Sequence, residues 1–350
     1  MSSQENRTDA RVGGAVAEIV ADVRARGDEA LAEWALSLDG VAPARAEPEA
    51  GLPEDAVLEL ADRVRRWHEA QRPADLRMEI EPGVELERRW VPLGSVGIYV
   101  PRGLVSTLVM CAVPARVAGV ERIVVVTPPG GCGLVAAAAE LVGVDEVWAV
   151  GGPHAIAALA YGTETIRRVD KIAGPGNAFV NEAKLIVSRD VAIDLPAGPS
   201  EVVVVLGRGG DPGIAELELA AQAEHGRDSV CRTIDGSDLE AALAEVERIA
   251  PEHLVLLGEA EALAPRIRNA GAVFVGSSSP VASGDYATGG NHVLPTGGWA
   301  RSVGGLGLET FLKPVTVQRL TPEGLERVRP TVEALAAVEG MSAHAAAVQR

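Results

Sequence analysis

Aromatic residues are scarce in this chain of 350 residues, where Phe, Tyr and Trp together make up 3 %. Cysteine is scarcer still: Cys111, Cys132 and Cys231 are widely separated and form no CxxC pair. That excludes a disulfide framework or a thiolate metal site, and the three read as buried small residues of a reducing compartment. Basic charge is also short. Lys and Arg number 32 against 49 Asp and Glu, leaving a net charge of −17. Such a surface repels phosphate backbones and anionic lipid, so neither nucleic acid nor a membrane is expected as partner. The arginines of RVRRW (63–67) read as part of a solvated helix face, and His68 beside them as an exposed helix residue. The longest apolar runs, 104–127 and 133–160, are broken by Pro, Gly and charges, which argues against a membrane span. MSSQENRTDARVGG carries no apolar core of a secretory signal, so a cytoplasmic protein is expected. No GxGxxG follows a strand-like run and no GxxxxGK[ST] occurs, so the usual glycine fingerprints for nucleotide phosphates are missing.

What the chain does have is a hydrophobic fraction of 47 %, with 39 Gly and 22 Pro spread as punctuation. That is enough for two domains with substantial cores. Residues 14–37 show apolar positions at helical spacing interrupted at Gly27, and predict two short helices; a further amphipathic helix is predicted over 54–71. ELERRWVPLGSVGIYVPRG (85–103) alternates like a twisted hairpin. From Leu104 onward, helical stretches alternate with β-rich runs such as RIVVVT, EVVVVL and HLVLL. That alternation indicates parallel sheets built from βαβ crossovers. The expected organisation is a helical segment over 1–85, related α/β domains over 86–165 and 166–276, and an extended then helical tail over 277–350.

Histidines number six, and four of them fall between 225 and 344 in QAEHG, APEHL, GDYATGGNHVLP and EGMSAH. Gln222 and His225 are three apart in a helical stretch, which puts their Cβ atoms about 5–6 Å apart on one face and suits two ligands of one metal. Asp285 and His344 could complete a donor set suited to zinc. By themselves these residues also fit a polar helix end and a turn cap. Glu252 and His253 follow Pro251 at the start of a strand-like run, where a carboxylate and an imidazole can share one site as general base and partner. A solvated pair at a strand start would look the same. The turns AGPGN (173–177) and GPSEV (198–202) can expose backbone N–H groups to a ligand.

The succession GIYVP, GVDEVWAVGG, AIAALAYGTET, VDKIAGPGNAFVNEAK, AGPSEV, QAEHG, APEHL, GDYATGGNHVLP and EGMSAH resembles histidinol dehydrogenase, from about residue 15 to the end. The resemblance implies two incomplete Rossmann-like parallel-sheet domains and a homodimer with intertwined C-terminal parts and shared active sites. It also implies zinc- and NAD-dependent oxidation of an amino alcohol, through an aldehyde, to a carboxylate. By position it makes Gln222, His225, Asp285 and His344 the zinc ligands, His253 the general base and Glu252 its partner in activating water. Ser200, His292 and Glu339 become substrate contacts, beside the metal ligands Gln222, His225 and His344, and Tyr99, His154 and Asn177 become cofactor contacts. Glu339 and His344 are expected to come from the partner subunit. Two positions depart from the family pattern: His154 stands for a Gln and Arg102 for a Gly. Only 25 residues separate His225 from Pro251, where the family has a longer strand–helix–strand portion. Histidinol is the expected substrate. The alternatives are a paralogue acting on another amino or polar alcohol, and a zinc hydrolase or lyase that no longer uses NAD.

Overall fold

Val16, Ile19, Val20 and Val23 recur at the spacing that places side chains on one helical stripe. They form the buried stripe of α1 (Ser3–Arg26) in the computed structural model. It describes residues 3–144, 146–196, 198–226 and 228–349, with side chains from residue 12 onward. Asp145 of DEVWAVGG and Ala197 of AGPSEV lie outside the described residues. Gly27, at φ +57, lets the chain break and restart as α2 (Asp28–Leu38). The Glu164 carboxylate accepts the Asp28 N–H at 2.9 Å and fills the space a Cβ at Gly27 would need.

A short β1 (Ala44–Arg45) leads to α3 (Glu54–Glu69), whose buried stripe is Val57, Leu60, Val64 and His68. His68 is therefore not the exposed residue expected of it. It lies one turn beyond Val64, on the apolar side, and its Nδ1–H donates to the Val64 carbonyl at 2.7 Å. Burial pushes its imidazole below the usual value.

The predicted hairpin over 85–103 does not form. Its two halves become β3 (Val84–Pro92), which pairs antiparallel with β2 (Leu76–Glu81), and β4 (Ser95–Tyr99), which joins a different sheet. The alternation breaks at Leu93–Gly94. Beyond it, four of the five β4 residues are buried, as a strand with neighbours on both edges requires.

The chain divides into two compact units, residues 1–71 with 93–311, and residues 72–92 with 312–350. In the first unit, β4 is followed by α4 (Val105–Ala118), β5 (Arg122–Thr127), α5 (Cys132–Leu141) and β6 (Glu146–Ala149). Then come α6 (Gly152–Tyr161), β7 (Lys171–Ala173), α7 (Ala178–Val187) and β8 (Ala192–Ile193). Among the described residues these strands form one sheet ordered β1-β6-β5-β4-β7-β8, parallel except for β1. Because β7 and β8 belong to it, the sheet continues past residue 165. Helices α1, α6 and α7 cover one face, packing on Val124 and Val126, and α4 with α3 and α5 covers the other. Fully burying each such valine contributes about 1.5–3 kcal/mol.

A second parallel sheet follows, built from β9 (Glu201–Leu206), α8 (Pro212–Ala223), β10 (Val230–Asp235), α9 (Leu239–Ile249), β11 (His253–Leu257) and β12 (Ala272–Val275). Its order is β10-β9-β11-β12. The alternate faces of β9 and β11 pack against α9 and against α8. Strand β10 is exposed along its length except at Ile234. That is why Cys231 is exposed, against the expectation of three buried thiols, whereas Cys111 inside α4 is buried and Cys132 partly so. A short helix, α10 (Val281–Tyr286), begins the Gly-rich stretch.

The second unit is an antiparallel sheet ordered β13-β3-β2, with β13 (Leu312–Leu320), α11 (Pro322–Val338) and α12 (Ser342–Ala347). Among the described residues no helix is long and apolar enough to cross a membrane.

Candidate active site

Parallel pairing of β9 with β11 sets His253 beside Val202, so the residues just before each strand meet at its amino end. There the Glu252 carboxylate accepts the Ser200 hydroxyl at 2.6 Å and the Glu201 N–H at 2.7 Å. His253, only 3 % exposed, donates its Nδ1–H to the Glu201 carbonyl at 3.0 Å, with the Glu252 carboxylate 3.5 Å away. A carbonyl can only accept, so in the neutral ring this bond places the proton on Nδ1 and leaves the lone pair on Nε2. Nε2 is buried, has no hydrogen-bond partner among the described residues, and lies 3.9 Å from Asp285 Oδ1. Burial opposes charging the ring, but the Glu252 carboxylate, then Asp285 and the Glu201 carbonyl, outweigh it and raise its pKa above the usual imidazole value.

Helices α8 and α10 bring the next residues. The Glu218 carboxylate accepts the Val281 N–H at 3.1 Å, tying α8 to the start of α10, which carries the buried Asp285. One turn beyond Glu218, Gln222 is 3 % exposed, and its Nε2 has no partner among the described residues. The predicted pairing of Gln222 and His225 on one helical face is not kept. Helix α8 ends at Ala223, where the N–H groups of Glu224, His225 and Gly226 turn back to carbonyls three residues earlier, and His225 is left exposed.

His292 donates its Nδ1–H to the Asp285 carbonyl at 3.1 Å, and its Nε2 lies 3.4 Å from the Thr107 hydroxyl at the start of α4. Burial holds its pKa below the usual value. The neighbouring Asn291 donates to the Met110 carbonyl at 2.6 Å and touches His68, so α3 and α4 brace this loop. A cavity of ≈ 130 Å³ opens here, lined by His253, Phe274, Asp285, Asn291, His292 and Leu294 among others. That is space for a few waters or a small polar ligand.

The first sheet offers a different edge. Its strand order reverses between β4 and β7, and in parallel sheets the crevice outside the carboxyl ends at such a point is where ligands bind. Tyr99 is the last residue of β4. Burial pushes its phenol up to about 12, and its oxygen accepts the Gly152 N–H at 3.4 Å. Asn177 follows β7 and caps α7 by accepting the Val180 N–H at 3.1 Å. His154, on α6, is fully buried, and its Nε2–H donates to Asp39 at 3.1 Å. Asp39 also accepts the Gly151 N–H at 2.8 Å. Burial opposes ionisation of Asp39, yet these two bonds, with the charges of His154 and Arg102, hold its carboxyl below the usual range. The imidazole is thus committed to the β6–α6 turn instead of facing outward.

Ser200, Gln222, Glu252, His253, Asp285 and His292 all lie in the first unit, and the contacts above link all but Gln222 into one network. Glu339 and His344 lie in the second unit, exposed at the end of α11 and on α12. No three His, Cys, Asp or Glu side chains among the described residues form a ready metal cluster. The donors in the first unit nevertheless suit zinc: the buried Asp285 carboxylate, and the buried Gln222 carboxamide, which would bind through its oxygen. Sequence reasoning passed over Glu201, Glu218, Thr107 and Asn291. Glu218 carried one signal, its i−4 spacing from Gln222; Glu201 lay beside Ser200 in GPSEV but had nothing to mark its backbone carbonyl.

The model of the histidinol dehydrogenase family matches residues 2–238 and 231–350. Histidinol dehydrogenase of Cereibacter sphaeroides is 46 % identical, with 97 % of this chain and 91 % of that protein aligned. That of Methanothermobacter thermautotrophicus is 40 % identical over 96 % and 92 %. The crystal structure of histidinol dehydrogenase from Elizabethkingia anophelis superposes with a TM-score of 0.88 at 32 % identity, covering 96 % of this chain and 91 % of that one. The buried Glu252–His253 pair at the head of β11 thus sits in a chain that belongs to the histidinol dehydrogenase family.

Proposed function

We propose that this protein oxidises L-histidinol through histidinal to L-histidine with zinc and two molecules of NAD, and that His253 is its general base. The observation that carries the assignment is the buried His253 Nε2, unpartnered among the described residues at the cavity, in a ring whose other nitrogen is anchored to a backbone carbonyl. Gln222, His225 and Asp285, with His344 of the partner subunit, would hold the zinc, which would supply a Lewis acid to anchor the substrate's nitrogen donors. Tyr99 and Asn177, at the crevice between β4 and β7, would hold NAD, which would supply the hydride acceptor.

The chain's own residues handle the protons. His253 Nε2 accepts the alcohol proton, and the Nδ1–H bond to Glu201 keeps the ring in the tautomer that can do so. The Glu252 carboxylate, fixed by Ser200 and Glu201, stabilises the resulting imidazolium. In the second oxidation the same pair takes a proton from the water that adds to the aldehyde. Ser200 and His292, with Glu339 of the partner subunit, would contact substrate, and His154 would act through Asp39 by shaping the turn before α6 rather than touching NAD.

A homodimer with the second unit exchanged accounts for the exposed apolar positions of that unit. Leu76, Met78 and Ile80 alternate along β2, and Leu335 and Val338 lie on α11, each about half exposed or more.

The decisive test is NADH release by purified, zinc-loaded protein given L-histidinol. Two NADH per histidinol are expected. No NADH from histidinol, with stoichiometric zinc bound, sinks the assignment.

A further inference from the structure

The turn after β7 carries Gly174, Pro175, Gly176 and Asn177. Gly174 sits at φ +106, and a Cβ there would lie 2.2 Å from the Tyr99 carbonyl oxygen. Only glycine lets the turn close this tightly on the end of β4. Both backbone polar groups of Gly174 are taken by one buried ion pair. Lys184 Nζ donates to its carbonyl at 2.9 Å, and Asp194 Oδ2 accepts its N–H at 2.8 Å. Lys184 Nζ lies 2.6 Å from Asp194 Oδ1, and the two side chains are 2 % and 1 % exposed. From the same helix as Lys184, Asn181 donates to the Gly176 carbonyl at 2.7 Å. Three buried polar side chains therefore grip a turn of four residues at the point where the strand order reverses.

Stability alone is a weak reason for such a pair, because an apolar pair of similar volume often serves a core equally well. What apolar side chains lack is a donor and an acceptor aimed at the two polar groups of one glycine. We propose that Lys184 and Asp194, with Asn181, are positioning residues for the dinucleotide. They set the 174–177 turn so that Asn177 stands at a fixed separation from Tyr99 across the crevice. This inference rests on the crevice between β4 and β7 being the cofactor site.

The test uses the full-length, zinc-loaded protein, with NADH binding followed by fluorescence and NAD kinetics run beside it. The double variant Lys184→Met/Asp194→Leu removes both charges together, so no lone buried ion is left. Its Kd for NADH and KM for NAD are expected to rise about tenfold or more, kcat at saturating NAD to fall less, and zinc content to match the parent. If the double variant does not fold, Asn181→Leu is expected to raise the same constants in the same direction by a smaller factor. A folded double variant with the parent's NADH affinity overturns the proposal, as does Asn181→Leu with parent affinity where it is the only folded variant. Tyr99→Phe and Asn177→Ala separate the two levels. If neither weakens NADH binding, the crevice is not the cofactor site and the inference falls with it. If they weaken it and the brace variants do not, the brace alone is refuted.

Discussion

The two parallel sheets of the first unit follow one plan and depart from it in one place. Numbered by appearance in the chain, the parallel strands of the first sheet lie in the order 3-2-1-4-5, as β6-β5-β4-β7-β8. Numbered the same way, β10-β9-β11-β12 reads 2-1-3-4, which is the first sheet's order without its outermost strand 3, and no strand lies beside β10 among the described residues. The family match divides at the same place, its two pieces overlapping over residues 231–238, which span most of β10 and the turn after it. Relatives also align over 396 and 395 positions, more than the whole of this chain, so they carry residues with no counterpart here. Set against the first sheet, the second lacks one outer strand and the helix that leads to it among the described residues. The central pair β9 and β11 keeps its neighbours, and that pair holds Glu252 and His253.

The sheets also use opposite edges. The first offers its carboxyl ends, where Tyr99 and the Gly174 turn meet. The second offers its amino ends, where Ser200, Glu252 and His253 converge. The segment following the carboxyl end of β4 reaches the second site directly, through Thr107 and His292. On the function proposed above, one type of sheet would serve as cofactor crevice at one end and as proton-transfer site at the other.

The largest effect that sharpens this contrast is expected from His253→Asn. Losing the base should lower kcat by about 10²–10⁴-fold while zinc content, measured by metal analysis, and NADH binding at the other edge stay at parent levels. Near-parental kcat would break the division of labour between the edges.

A smaller effect compares the middle of the second sheet with its edge. Leu256 on β11 is fully buried, and Leu256→Ala should cost about 2–5 kcal/mol in denaturant unfolding. Val230 on β10 is 46 % exposed, and Val230→Ala should stay within about 0.5 kcal/mol. Equal losses would mean that β10 is not the free edge the strand order makes it.

The smallest effect is a pH dependence at His68, which braces the loop carrying His292. Its folded pKa lies below the ordinary value because burial disfavours the charged ring. Its stabilisation is therefore complete above the unfolded value, about 6.5, and is lost as pH falls below it toward the folded pKa. The gap in unfolding midpoint between the parent and His68→Gln should narrow from pH 7.5 to pH 5; a constant gap would count against the buried neutral ring.

Much of this was legible along the chain. The helices predicted over 14–37, split at Gly27, and over 54–71 follow from 3.6-residue periodicity, though α1 begins at Ser3 and α3 ends at Glu69, and the start of β11 follows from Pro251. The alternation of helices and β-rich runs indicates parallel sheets. Other features were not legible, because they join residues far apart. His68 reads as polar beside three arginines, yet lies on the buried stripe. Alternation over 85–103 is a true strand signal, but it does not say with what each strand pairs. His154 gives no local hint of Asp39, 115 positions away.

By itself the sequence determined the class of fold, the family and the residue types available for chemistry, since periodicity and motif order are local properties of the chain. Tertiary structure alone decided which nitrogen of His253 is free, because that depends on a carbonyl 52 residues away. It also decided that Lys184 and Asp194 meet at Gly174, and that the second sheet ends at β10. Hydrogen bonds and strand neighbours are made across space, and no local pattern encodes them.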